Sequence, residues 1–109
     1  MKVAVIGSRG IKDVRLDEYI PRGVTEIISG GAKGVDMLAR EYALQNGLEL
    51  REILPDYQRY KRAAPLQRNK EIVQVADCVV ALWNGESRGT KFVIDWCKKC
   101  GVPCQVYIL

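Results

Sequence analysis

Five short apolar runs recur along this chain, and three of them lead directly into a glycine-bearing loop followed by a helix-like pattern. Val3 to Ile6 leads to Gly7-Ser8-Arg9-Gly10, Thr25 to Ile28 to Ser29-Gly30-Gly31-Ala32-Lys33-Gly34, and Cys78 to Leu82 to Trp83-Asn84-Gly85-Glu86-Ser87-Arg88-Gly89-Thr90. Leu48 to Leu54 and Pro103 to Ile108 complete the set. Strands alternating with helices predict βαβ units and a parallel sheet. The fold expected is α/β: a single Rossmann-like domain over residues 1–109, with a five-stranded, mostly parallel sheet and helices on both faces.

The helical stretches show the complementary period. Val35, Leu38, Ala39, Tyr42 and Ala43 repeat at helical spacing, and Gly47 is placed to end that helix. Pro65 suits the first turn of another, with Ile72, Val73 and Ala76 on one face. Phe92, Val93, Trp96, Cys97 and Cys100 form the expected inward stripe of a last helix capped by Gly101, and a short helix is expected from Val14 to Ile20, stopped by Pro21. The first and fourth strands are apolar throughout, as central parallel strands must be, whereas Leu48-Glu49-Leu50-Arg51 and Gln105-Val106-Tyr107-Ile108 are mixed, as edges are. Order 3-2-1-4-5 satisfies both with right-handed crossovers. Ligands of such sheets bind beyond the carboxyl ends of the strands, where chain direction reverses, here between strands 1 and 4.

The chain has no histidine, which removes Ser-His-Asp and Cys-His mechanisms and every His-ligated metal. Gly85-Glu86-Ser87-Arg88-Gly89 matches the GxSxG nucleophile elbow, but no histidine is present to activate Ser87, and acid-base work is left to Asp, Glu, Lys, Tyr or Cys. Cys97, Cys100 and Cys104 cluster near the end without a second CxxC, so reduced thiols are expected and no metal site. No apolar run approaches the roughly 18 residues of a membrane helix, and a cytoplasmic location is the default expectation. The formal charge of +4 is compatible with an anionic partner, a nucleotide or a nucleic-acid backbone.

The glycine loops carry the functional expectation. Glycines let the backbone approach a ligand, and a helix start offers unpaired N–H groups to an anion. The Ser29–Gly34 loop is neither a Walker A loop nor a strict GxGxxG, and a plain βα turn is its competing reading. Asp36, in the first helical turn, is read either as a cap or as an acceptor for ribose hydroxyls. Arg9 is suited to clamping phosphate and Ser8 to donating its hydroxyl. Ser87, Gly89 and Thr90 offer a further phosphate-binding turn, and Trp83 either stacks on a base or packs in the core. Pro55-Asp56-Tyr57-Gln58-Arg59-Tyr60-Lys61-Arg62 is read as a lid, a nucleic-acid contact or a solvated connection. Arg68-Asn69 completes the set of residues able to face the site. The ligand-binding candidates are thus Gly7, Ser8, Arg9, Ser29, Gly30, Gly31, Ala32, Lys33, Gly34, Asp36, Arg68, Asn69, Trp83, Gly85, Ser87, Gly89 and Thr90, with Asp36 and Glu86 as candidate acid-base groups.

In order and spacing, Gly7-Ser8-Arg9, Ser29 to Asp36, Arg68-Asn69 and Trp83 to Thr90 resemble the SLOG superfamily, which joins the DNA-processing protein DprA to the LOG-type phosphoribohydrolases. The small stand-alone YspA/cpYpsA-related branch is the most similar. The resemblance implies a Rossmann-like fold binding a nucleotide or nucleotide-derived ligand, NAD- or ADP-ribose-like, as a sensor or binding module with no required cofactor. It also implies two alternatives: LOG-like hydrolysis of a nucleoside monophosphate, and DprA-like binding of single-stranded nucleic acid. LOG enzymes carry a GGxGTxxE motif. Gly89-Thr90 matches its GT, but Val93 stands at the position of its glutamate. Self-association of both relatives makes a homodimer compatible with the resemblance.

Overall fold

The computed structural model describes all 109 residues, Met1–Leu109. β1 (Lys2–Gly7), β2 (Glu26–Ser29), β3 (Glu49–Glu52), β4 (Cys78–Trp83) and β5 (Cys104–Ile108) form one sheet in the order β3-β2-β1-β4-β5. Every pairing is parallel, so the expected order holds and the sheet is parallel without exception. The apolar β1 and β4 lie at the centre, in register from Val3 opposite Cys78 to Gly7 opposite Leu82.

Alternation along β1 divides the core in two. Ala4 and Ile6 point toward α3 (Ala64–Val75) and α4 (Arg88–Cys100), where they meet Ile72, Val73, Val93 and Cys97. Val3 and Val5 point the other way, toward Val35, Ala39 and Ala43 of α1 (Val35–Gln45). Each fully buried Val or Ile contributes roughly 1.5–3 kcal/mol, so both layers are needed to hold a sheet this small. At the outer edge, β3 alternates exposed Glu49 and Arg51 with half-buried Leu50 and Glu52, and Arg51 Nε pairs with Glu26 across the strands at 2.9 Å.

The α1 end is as expected. Gly47 takes φ +64°, and the Leu48 N–H donates to the Ala43 carbonyl at 2.9 Å, closing the helix with a left-handed turn. Two expectations are corrected. Val14 to Ile20 is not an α-helix; only a 3₁₀ turn, Leu16–Glu18, forms. Seven residues ahead of a proline are too few to nucleate a helix without strong packing, and here Leu16 alone is buried while Ile11, Val14, Tyr19 and Ile20 lean on the α1-side core. Cys100 is exposed instead of inward, and Ile94 takes a buried place with Thr90, Val93 and Cys97. The helix is rotated so that Phe92 and Trp96 stack on each other at 5.9 Å, with Lys70 of α3 over the indole at 4.6 Å. All four cysteines are free thiols. No helix is long and apolar enough to cross a membrane.

The tightest packing is at Gly7, the last residue of β1. A Cβ there would lie 2.5 Å from the Leu82 carbonyl oxygen and 2.6 Å from Val35 Cγ2. Backbone on one side and a buried helix on the other leave nothing free to move. Gly7→Ala is expected to cost about 3 kcal/mol, measured by urea denaturation; a loss below about 0.5 kcal/mol would show that the sheet end can open.

Candidate functional site

The loops after β1, β2 and β4 leave the sheet at the carboxyl ends of three adjacent strands and surround one cleft of about 480 Å³. Gly7, Ser8, Arg9 and Gly10 line it from the first loop, Gly30, Ala32, Lys33 and Asp36 from the second, and Asn84, Ser87, Gly89 and Thr90 from the third. Arg68 and Asn69 reach it from α3, and Ile6, Ile72 and Val93 form an apolar floor.

The loops are tied to one another. Ser8 is buried, and its hydroxyl oxygen accepts the Asn84 N–H at 3.1 Å, joining the β1 loop to the β4 loop. Asn84 in turn accepts the N–H groups of Glu86 and Ser87, each at 2.9 Å, which folds the approach to α4. Ser87 caps that helix, accepting the Thr90 N–H at 3.5 Å. Gly34, at φ +76°, lets the second loop press on the first: its missing Cβ would lie 2.5–2.8 Å from the backbone of Arg9.

The second loop uses its own donors. The Gly31 N–H donates to Ser29 Oγ at 3.3 Å and the Ala32 N–H to Asp36 Oδ2 at 3.0 Å. Asp36 therefore reaches back to the loop and does not cap its own helix. Arg68 donates from Nη1 to the Gly30 carbonyl and from Nε to Asn69 Oδ1, both at 2.8 Å. By contrast, the N–H groups of Arg9, Gly10, Lys33 and Gly89 make no hydrogen bond within the chain. The exposed side chains of Arg9 and Lys33 likewise lack a carboxylate partner.

Several candidates fall elsewhere. Ser29, Gly31, Gly34, Gly85 and Glu86 do not line the cleft. Trp83 packs against the α3–α4 core, donates its indole N–H to the Ser87 carbonyl at 3.0 Å and does not line the cleft. The basic aromatic segment forms α2 (Tyr57–Tyr60) and a 3₁₀ turn, Lys61–Ala63, and none of Tyr57 to Arg62 lines the cleft as a lid would. Gly10 and Asn84 also line the cleft; the sequence places both inside the selected loops but gives neither a binding role. Ile6, Pro65, Ile72 and Val93 line it as well, and their apolar side chains carry no local mark of a site.

A model of the YspA, cpYpsA-related SLOG family matches residues 1–60. The chain belongs to this family. The matched span takes in the first two loops and ends before Arg68, Asn69 and the third loop, which the fold brings to the same SLOG cleft. No curated protein and no solved structure matches the chain. Membership points to a nucleotide-related binding or modifying role.

Electrostatically, Asp36 stands apart within this SLOG site. Burial pushes its carboxyl above the ordinary carboxylate value, against the lowering effects of the Ala32 N–H, Arg68 and Ser29, and Glu52 adds to the rise. A carboxyl raised on folding opposes the fold as pH climbs past its titration, and imposes no such penalty when both states are protonated. Asp36→Asn, which keeps an acceptor for Ala32, should be more stable than the native protein at pH 7, with the difference closing as pH falls through the raised titration toward 3.8. Denaturation curves across pH 3–8 measure it; a variant less stable at pH 7 would mean the charge is held by its partners.

Proposed function

We propose that the cleft binds a nucleotide or nucleotide-derived ligand, with its phosphate held between the β1 loop and the start of α4, and that the domain works as a binding or sensing module. The observation carrying this reading is the state of the glycines. A Cβ on Gly10 or Gly89 would meet nothing within 4 Å, and both residues line the cleft with unspent N–H groups. Open backbone beside unpaired amides is what an anion needs for close approach. Arg9, exposed and without a partner, adds a positive charge and a fork of donors at the same rim. The β1–β4 boundary is also where strand order reverses. The Ile6–Ile72–Val93 floor supplies the apolar wall that mixed-polarity ligand clefts commonly have.

A ligand at about 100 times its dissociation constant should add roughly 2.7 kcal/mol of stability. A thermal-shift screen over nucleoside mono- and diphosphates, ADP-ribose and NAD is expected to give at least one stabilising ligand. Arg9→Ala should weaken that ligand about tenfold, the loss of one charged hydrogen bond of roughly 1.5 kcal/mol. No shift with any of them would end the reading.

Hydrolysis of a glycosidic bond is the second reading, and it rests on Asp36, a carboxyl in the cleft whose proton is held more tightly than usual. Against it, Glu86 lies outside the cleft, and the LOG-type glutamate position is occupied by Val93, buried in the floor. Incubation with nucleoside monophosphates is therefore expected to release no free base above a protein-free blank; release that disappears in Asp36→Asn would establish an enzyme.

A further inference from the structure

The Gly30–Gly34 loop looks by sequence like the principal phosphate cradle, yet the side of each of its glycines where a Cβ would stand faces protein atoms. A Cβ on Gly30 would lie 2.6 Å from Arg68 Nη1 and 3.1 Å from Asp36 Oδ2. One on Gly31 would lie 2.6 Å from Leu54 Cδ2, and one on Gly34 would strike the Arg9 backbone. These glycines serve close packing within the protein. The Ala32 amide already holds an anion, the Asp36 carboxylate, at 3.0 Å. That carboxylate also opposes the charge of Arg68, which has turned two of its donors to Gly30 and Asn69. Glu52, the other carboxylate acting on Asp36, is held in a two-pronged pair with Arg40 at 2.9 and 3.0 Å.

The geometry points to Asp36 as a specificity-determining residue that bars a second phosphate from the Gly30–Gly34 loop and reserves that side of the cleft for a neutral hydrogen-bond donor, such as a sugar hydroxyl. The inference rests on the nucleotide reading, which places the anion at Gly10 and Gly89. A carboxylate facing the cleft accepts hydrogen bonds and donates none, so it meets a hydroxyl favourably and a phosphate oxygen unfavourably. Without that charge, Arg68 and Lys33 would stand unopposed beside the free Lys33 amide. A diphosphate could then span from the Gly89 side to the Gly30 side.

The test compares inorganic phosphate and pyrophosphate by calorimetric titration of the native protein, Asp36→Asn and Glu41→Gln. Glu41 lies on the same helix, is exposed and does not line the cleft, so its variant removes one negative charge without touching the loop. In Asp36→Asn the preference for pyrophosphate over phosphate is expected to rise at least tenfold, and in Glu41→Gln to stay within twofold of native. Equal gains for both anions in Asp36→Asn, or the same rise in Glu41→Gln, would overturn the inference while leaving the nucleotide reading in place. Failure of every protein to bind either anion would overturn both. Because Asn preserves an acceptor for the Ala32 N–H, a circular-dichroism melt can establish that the variant is folded before titration.

Discussion

The site depends on the close approach of backbone at the carboxyl end of β1. Gly7 has no side chain, so β4 and α1 close on the strand end from opposite sides, and Gly34 has none, so the second loop rests on the main chain of Arg9. Side chains at these positions would separate the three loops. With them together, a cleft exists whose rim is main-chain amide and whose floor is the top of the α3–α4 core. The missing side chains of Gly7 and Gly34 thus serve contact between layers.

Hydrogen-bond satisfaction then divides the rim into two unlike halves. Around Ser29 to Asp36 the Gly31 and Ala32 donors are matched internally, by a hydroxyl and a carboxylate, and the Lys33 N–H stays free. Between Arg9 and Gly89 they are left unmatched, although the same region is braced by Ser8, Asn84 and Ser87. Bracing matters as much as vacancy, because donors fixed in advance lose little freedom on meeting an anion. Polar groups that form the scaffold and polar groups left available are neighbours in the chain, separated by a residue or two.

Much of this architecture could be read from the amino acids. Strand order followed from which runs were apolar throughout, since burial on both faces leaves no room for alternation, and β1 and β4 occupy the centre accordingly. Loop positions followed from glycine, and the end of α1 from Gly47. What could not be read was the partner of each group. The sequence does not show that Ser8 Oγ accepts the N–H of Asn84, far along the chain, or that the Trp83 indole N–H donates to the Ser87 carbonyl. The three glycines after β2 look open because a sequence does not reveal that Arg68, Leu54 and Arg9 fill the space beside them. The Val14–Ile20 segment failed differently: its apolar spacing is real, but the contacts are made by a wrapped loop with one 3₁₀ turn.

Val93 belongs to two structures at once, the floor of the cleft and the packed layer with Ile72 and Cys97, and it is 2% exposed. A carboxylate exchanged for its isopropyl group would face apolar neighbours on the sheet side and would carry a desolvation cost of several kcal/mol unless the layer beneath were rebuilt. Valine at 93 thus ties the floor of the cleft to the packing beneath it, so the polarity of the one cannot change without cost to the other.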